Sequence, residues 1–497
     1  MTTESTQSTT STRSIDRRIH GGTLVLPSGA TQADVLIAQG RIVGIVDPTL
    51  EVGADVPVLD AHGKFVLPGM IDVHVHTREP GYTHKEDITT TTMQAAAGGV
   101  TTIFGMPNLN PPTTTQESLE AVFALYREKS IVDWNHNPAA TDPKEVPLMA
   151  QTPIRAFKIY MVVDTGRTYP HPAGTGMHDH GHLLQMMDII AKTGKRFIIH
   201  PHDQALMDYI EGEYLARGEN TPQGYASAYA ARNGVIWDTA IDVILRLAEA
   251  SGCPIHIAHM QTVQSIDAVR RAKARGVDVT CEVNHWAPFL STWHDVETLG
   301  PYALSYWIPD DARAAVWQGI NDGTIDLIAS DHAPHTREEK DIGWTKMWSA
   351  HTGTPGIQYF YPLLLDAANQ GQISLARAID AAAFQPAKAF GLDQTKGRIS
   401  VGYDADLVIA DLNAPWTITN DGVLSRCGWT PYDGRTISAH IDATLVRGEI
   451  VFENGQVVGK PGQGKMAVSQ EEESTPAGAN SQANSQANIQ VSMERAQ

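Results

Sequence analysis

Between residues 67 and 392, short apolar runs alternate with stretches in which Leu, Ile, Val and Ala recur every three or four positions. The runs fall at 70–75, 100–105, 131–135, 155–160, 196–199, 254–258, 277–283 and 325–330. Short apolar runs bounded by turn residues read as buried strands. The helical spacing at 118–129, 237–250 and 263–275 reads as amphipathic helix, the last ending before Gly276. Strands that alternate with helices pair in parallel. Eight such units predict an α/β fold of the (βα)8 TIM-barrel type, with a doubly wound sheet as the structural rival.

The flanks follow a different period. Gly22-Thr-Leu-Val-Leu, Ala33-Asp-Val-Leu-Ile-Ala and Arg41-Ile-Val-Gly-Ile-Val alternate with a break at Gln39-Gly40. A matching set returns as Gly397-Arg-Ile-Ser-Val-Gly, Ala405-Asp-Leu-Val-Ile-Ala, Ala443-Thr-Leu-Val-Arg-Gly and Ile450-Val-Phe-Glu-Asn-Gly. Short strands with Gly and Asn-Gly turns are β-sandwich material. The expectation is one small β-sandwich domain built from both chain ends, 18–66 and 393–465, around a barrel at 67–392. The tails, 1–17 and 466–497, are polar and low in complexity, with Glu471-Glu472-Glu473 and a repeated Asn-Ser-Gln-Ala at 480–487. They hold too little apolar surface to offset ordering entropy, so both are expected to be disordered.

Barrel enzymes carry their chemistry at the C-terminal ends of the strands. The polar residues that end these runs are His74 and His76 on the first, Lys158 on the fourth, His200 on the fifth, His259 on the sixth and Asp331 after the eighth. His74 and His76 lie two apart, so both imidazoles leave one face of a strand. Each residue has a bland alternative: a satisfied core histidine, a lysine that snorkels to solvent, an aspartate capping a helix. His202 shares its face with His200 and is an alternative ligand, whereas His256 is expected to face away from His259. Joint placement at five strand ends is what points to a metal centre. Four imidazoles, a carboxylate and a lysine suit a pair of divalent ions, provided that desolvation frees the lysine amine to add carbon dioxide and become a carbamate.

Composition narrows the class. With 42% hydrophobic residues, 19% charged residues and a formal charge of -19 over 497 residues, the chain can bury a large core and has no basic stripe for nucleic acid or anionic membrane. Cys253, Cys281 and Cys427 are far apart, which suggests neither a disulfide framework nor a thiolate metal site. Twenty histidines favour nitrogen ligation. No apolar run is long enough to span a membrane and the start lacks a signal core, so a cytoplasmic location is expected.

The motifs extend further. His74-Val-His-Thr-Arg-Glu-Pro-Gly, Thr83-His-Lys-Glu-Asp, Gly98-Gly-Val-Thr-Thr, Met106-Pro-Asn, Val279-Thr-Cys-Glu-Val, Ala329-Ser-Asp-His-Ala-Pro-His-Thr-Arg-Glu-Glu-Lys, Pro386-Ala-Lys-Ala-Phe-Gly-Leu and Asp404-Ala-Asp-Leu-Val-Ile-Ala resemble those of the amidohydrolase superfamily, in particular its dihydroorotase-like cyclic amidases. The likeness spans roughly 20–462. It implies two zinc ions held by His74, His76, N6-carboxylated Lys158, His200, His259 and Asp331. It also implies Asp331 as general base and acid, Arg78, Asn108 and His335 as the grip on a substrate carboxylate, and a homodimer or homotetramer. The activity implied is that of a dihydroorotase, which interconverts dihydroorotate and N-carbamoyl-aspartate.

Departures from the dihydroorotase pattern keep other readings open. Asn284-His285-Trp286-Ala-Pro, the segment 305–313 and the long loop 162–182, with Gly166, His171, Gly174, Gly176, His178, His180 and His182, differ from it, and loops after barrel strands set specificity. Trp286, Trp293, Tyr302, Tyr306 and Trp307 are candidates for a roomier aromatic pocket, with simple packing as the alternative. A hydantoinase, dihydropyrimidinase, allantoinase or other cyclic imide hydrolase with the same centre is therefore the rival activity. A catalytically silent assembly partner is a third reading, opposed by the six filled ligand positions.

Overall fold

The computed structural model describes residues 14–162, 172–303 and 310–474. Eight parallel strands stand where the apolar runs predict them: β1 (Met70–Val75), β2 (Val100–Gly105), β3 (Asp133–His136), β4 (Ala156–Tyr160), β5 (Arg196–His200), β6 (Ile255–Ile257), β7 (Val279–Asn284) and β8 (Leu327–Ala329). Strands β1 to β3 form one hydrogen-bonded group and β4 to β8 another. Two parallel bridges join them, Val75 with His332 and Ala139 with Lys158. The sheet therefore closes on itself, and both seams carry site residues or their neighbours.

The helices between strands follow local chemistry. Helix Val235–Ser251 buries Ile236, Ile241, Ile244, Leu245 and Ala248 along one stripe and ends at Gly252, whose φ of 68° suits a residue without a Cβ. Helix Gln116–Lys129 begins with a reciprocal cap between Thr115 and Ser118. An apolar cluster drawn from five barrel strands, including Ile71, Phe104, Ala156, Ile198 and Leu327, packs around Phe390 and fills the barrel. The polar strand ends stand on this floor.

Both chain ends meet in a β-rich domain. Phe65–Pro68, the last N-terminal strand, pairs antiparallel with Leu407–Asp411 and leads directly into β1. Among the described residues nine strands form one hydrogen-bonded sheet, and strands far apart in it share a core of Ile19, Val35, Ile42, Leu407 and Leu445. Order extends past the expected boundary at 466. Ala467 donates its amide to Trp134 O at 2.7 Å, Glu472 pairs with Arg155 at 2.7 Å and Glu473 with Arg41 at 2.5 Å. The acidic run that composition assigns to a tail is held by two arginines. The Asn-Ser-Gln-Ala repeats lie outside the described residues. Cys253, Cys281 and Cys427 are buried free thiols, and no helix among the described residues is long and apolar enough to cross a membrane.

Candidate active site

The C-terminal ends of the strands gather the predicted ligands into one buried constellation. His76 Nε2 lies 3.2 Å and His74 Nε2 3.4 Å from Asp331 Oδ1, and His259 lies 3.6 Å from Oδ2 of the same carboxylate. The His259 ring centre is 4.9 Å from that of His74 and 4.7 Å from that of His200. Lys158 is fully buried on β4, paired in register with Ile198 of β5. His202 packs 4.0 Å from Trp237, and its Nδ1 lies 3.2 Å from His200 Nε2, so it adjoins the group through His200. Three site residues, Arg78, His259 and Asp331, adopt positive φ of 60°, 61° and 48°. Such backbone is costly for residues with a Cβ and persists where surrounding structure enforces it.

Three of the rings, those of His74, His76 and His259, are held from behind. Glu282 on β7 hydrogen-bonds His74 Nδ1 with one oxygen and His256 Nε2 with the other at 3.1 Å. His256 thus serves as a support beneath the ligands, its Nδ1 fixed by Thr280 at 2.8 Å. His259 Nδ1 bonds Asn284 Oδ1 at 2.5 Å, and His76 Nδ1 bonds Asn108 Oδ1 at 2.7 Å. A carboxylate or carboxamide oxygen on Nδ1 fixes the tautomer and leaves Nε2 as the free donor, the arrangement metal-ligating histidines need. Asp72 ties β1 to β8 by accepting from the amides of His74 at 3.2 Å and Ser330 at 3.0 Å.

Electrostatics agree with this geometry. Burial pushes His76 down to about 4 and His259 to about 3, so both imidazoles are neutral and able to donate a lone pair. Burial alone would raise Asp331, but His74, His259 and His76 hold it below the usual carboxylate range. Desolvation lowers Lys158 to about 8 against the opposing pull of Glu282 and Asp331. Lys158 Nζ and His74 Nε2 are buried and make no hydrogen bond. Unsatisfied buried polar atoms cost free energy, and here they converge where nitrogen and oxygen donors surround one another. His74, His76 and Asp331 offer ligand atoms within 4.8 Å of one another. The donor set fits divalent cations.

Beside it lies a buried positive group. Arg78 is buried, donates Nε to Pro334 O at 3.2 Å and directs a terminal nitrogen to His335 Nε2 at 3.1 Å. The carboxylates nearest in sequence are engaged elsewhere: Glu79 binds Lys129, and Glu86 binds Thr90, Gln94 and Ser425. Among the described residues no carboxylate lies within ion-pair distance of Arg78. Trp286 is buried with its ring 6.3 Å from His259, whereas Trp293 is partly exposed and Tyr302 packs 4.8 Å from Trp429. His285, in the departing segment, is consumed by Tyr432 at 2.5 Å and Thr354 at 3.1 Å. His178 precedes helix His180–Ile190 and His180 and His182 open it; all three are exposed or half-buried, unlike the buried constellation. Gly166, His171, Ser305, Tyr306 and Trp307 lie outside the described residues.

Sequence reasoning gave Glu282 and Asn284 no role. Their signal was present: Thr280, Glu282 and Asn284 recur at every second position of β7, which places three polar groups on one face of a buried strand.

The amidohydrolase family model matches residues 65–451. The chain belongs to the amidohydrolase family. A dihydroorotase of Methanosarcina acetivorans is 34% identical over 444 residues, covering 87% of this chain and 91% of its own. An L-hydantoinase of Paenarthrobacter aurescens is 29% identical over 474 residues, covering 91% and 98%. The solved L-hydantoinase (dihydropyrimidinase) from Arthrobacter aurescens superposes with a TM-score of 0.86 at 28% identity, covering 91% of this chain and all of that one. Family membership thus fits the closed barrel and the histidine constellation, while the relatives divide between two ring substrates.

Proposed function

We propose that this protein is a metal-dependent cyclic amidohydrolase that opens a small ring bearing an acidic group, with dihydroorotate as substrate and N-carbamoyl-aspartate as product. The observation that carries the acidic ring is Arg78: a buried, permanently charged guanidinium at the mouth of the site with no carboxylate partner among the described residues. A guanidinium offers a planar fork to a carboxylate, and an anionic substrate would remove the cost of burying it alone.

His74, His76, His200, His259 and Asp331 would hold two zinc ions, with Lys158, as a carbamate, completing the ligand set. An amine near pKa 8 is free in about one molecule in ten at pH 7. Its nitrogen lone pair forms the bond to the carbon of carbon dioxide and a proton leaves, which turns a cation into the anionic ligand the site lacks. Bound cations would supply Lewis acidity and bring the pKa of water close to neutral.

The chain's own residues then set the course of reaction. Arg78 and Asn108 orient the ring through its acidic group. Asp331, kept ionised by the surrounding imidazoles, receives the proton of the attacking water and returns it to the ring nitrogen as the carbon–nitrogen bond breaks. The buried walls, including Trp286, exclude bulk water.

A second reading, a hydantoinase or dihydropyrimidinase, draws on the relatives bearing those names and on Trp286 beside His259, an aromatic wall suited to a neutral ring. Purified, zinc-loaded protein assayed against dihydroorotate, hydantoin, dihydrouracil and allantoin separates the readings. Turnover of dihydroorotate at least tenfold faster than the neutral rings supports the first; absence of dihydroorotate turnover rejects it.

A further inference from the structure

We infer that Glu339 is a positioning residue that fixes the tautomer of His335 and, through it, aims Arg78 at the acidic group of the substrate. The inference rests on the acidic-ring reading above and adds to it a relay reaching from the pocket to the helix after β8.

The geometry leaves little freedom. Arg78 is a donor only, so the nitrogen of His335 that it meets at 3.1 Å, Nε2, must accept. A neutral imidazole that accepts at Nε2 carries its proton at Nδ1. Two groups face Nδ1: Glu339 Oε2 at 3.3 Å and Lys85 Nζ at 3.2 Å. Lys85 is also a donor and could serve Nδ1 only if the proton sat on Nε2, where it would face Arg78 without an acceptor; with the proton on Nδ1 the carboxylate accepts it, and Lys85 turns to the other oxygen of Glu339 at 2.9 Å. Nδ1–H therefore donates to Glu339, and one carboxylate serves both the imidazole and the neighbouring ammonium.

The surroundings lock this arrangement. The His335 ring is fully buried, stacks at 4.8 Å and 10° on His351, and its backbone carbonyl accepts from Trp429 Nε1 at 2.8 Å. His84 and His351 approach Glu339 Oε1 at 3.6 Å and 3.8 Å. Glu339 is also the third residue of helix Arg337–Asp341 and accepts from the amide of the cap residue Thr336 at 3.1 Å. Without the carboxylate, the proton of His335 is free to move to Nε2, where its N–H would confront Arg78, donor against donor, and the guanidinium would turn from its place. The loss should fall on recognition of the acidic group and spare rings that lack one.

Glu339→Gln tests this, because glutamine keeps the length and the oxygen that caps the helix but removes the charge. Binding is read in metal-free protein with orotate and with uracil, which differs by the missing carboxylate, and the zinc-loaded enzyme is assayed with dihydroorotate and hydantoin. The expected result is a loss of orotate affinity of tenfold or more with uracil unchanged. In the assay, KM for dihydroorotate should rise by a similar factor, with kcat altered less than threefold and hydantoin hydrolysis unaffected. Should Glu339→Gln not fold, Glu339→Asp keeps the charge but withdraws it by one methylene and should show the same selective loss. Equal losses on acidic and neutral rings, or no loss at all, would overturn the relay. A wild-type protein that binds orotate no better than uracil would instead overturn the acidic-ring reading, so the two failures are distinct.

Discussion

Glu282 on β7 reaches across the barrel to hydrogen-bond His74 Nδ1 on β1, and with its second oxygen it holds His256 on β6. One carboxylate thus orients one candidate ligand imidazole and braces the strand that leads to another, His259. Burial alone would raise its carboxyl, but His74 and His256 keep it well below the usual range and ionised. Replacing it with glutamine preserves volume and removes the charge that fixes the His74 tautomer. Zinc affinity, read by competition with a chelator, should fall about 10- to 100-fold, as is usual when a carboxylate behind a ligand histidine is lost. Unchanged affinity would show that His74 is oriented without Glu282.

Lys158 offers a sharper test of the carbamate. Methionine has similar length and apolar bulk but no amine, so Lys158→Met should fold and yet bind one zinc ion in place of two, with hydrolysis reduced by at least a thousandfold. Wild-type protein equilibrated with 13C-bicarbonate should show a carbamate carbon signal that the variant lacks. A variant that retains both ions would remove the ligand role from residue 158.

The order of strands and helices was legible in the sequence because each barrel strand is a short apolar run and each intervening helix carries a single apolar stripe, as Val235–Ser251 does. The candidate ligand positions could be picked out because barrel topology gathers strand ends at one face. What lay beyond reach depends on contacts distant in sequence. His335 and Glu339 are four apart, but their meaning comes from Arg78 and Lys85, some 250 residues earlier. The positive φ of Arg78, His259 and Asp331 leaves no mark in residue type. Composition misjudged residues 466–474, since polarity says nothing about the arginines waiting to pair with Glu472 and Glu473.

Gly105 closes β2 where no side chain fits. A Cβ there would meet the Tyr126 hydroxyl at 2.0 Å and His136 Nδ1 at 2.6 Å. Neither can retreat easily: Tyr126 is stacked on Trp134 at 4.9 Å, and His136 Nε2 is bonded to Thr113 at 3.1 Å. Gly105→Ala should destabilise the protein by about 1–3 kcal/mol, the range for overpacking a dense core. Urea denaturation measures it, and a midpoint equal to that of the parent would mean that the two rings yield.

A buried ion network joins the β-rich domain to β3. Lys396 Nζ lies 2.8 Å from Asp133, 2.9 Å from Asp404 and 2.6 Å from Asp406, and Arg447 also binds Asp133. Lys396→Met would leave three buried acidic groups served by fewer cations. Breaking a buried network from one side costs about 3–5 kcal/mol. Lys396→Met should therefore lower the urea midpoint markedly, and the loss should shrink when Asp133→Asn is added. Additive losses in the double variant would argue that the pair is uncoupled.

Asp34 gives the clearest dependence of stability on pH away from the candidate site. Burial tends to raise its carboxyl, but the Gly21 amide at 2.9 Å, His20 at 2.9 Å and Arg18 together hold it below its ordinary value of 3.8. The folded state then binds this proton less readily than the unfolded chain does. The stabilisation is fully present above the unfolded pKa of about 3.9 and drains away as pH falls through the lower folded value. Wild-type protein should therefore exceed Asp34→Asn in urea midpoint at pH 6, and the gap should narrow steadily as pH falls from about 4 through the lower folded value. A gap that stays constant across that range would place the effect in packing, and one that widens on acidification would reverse the sign assigned to Asp34.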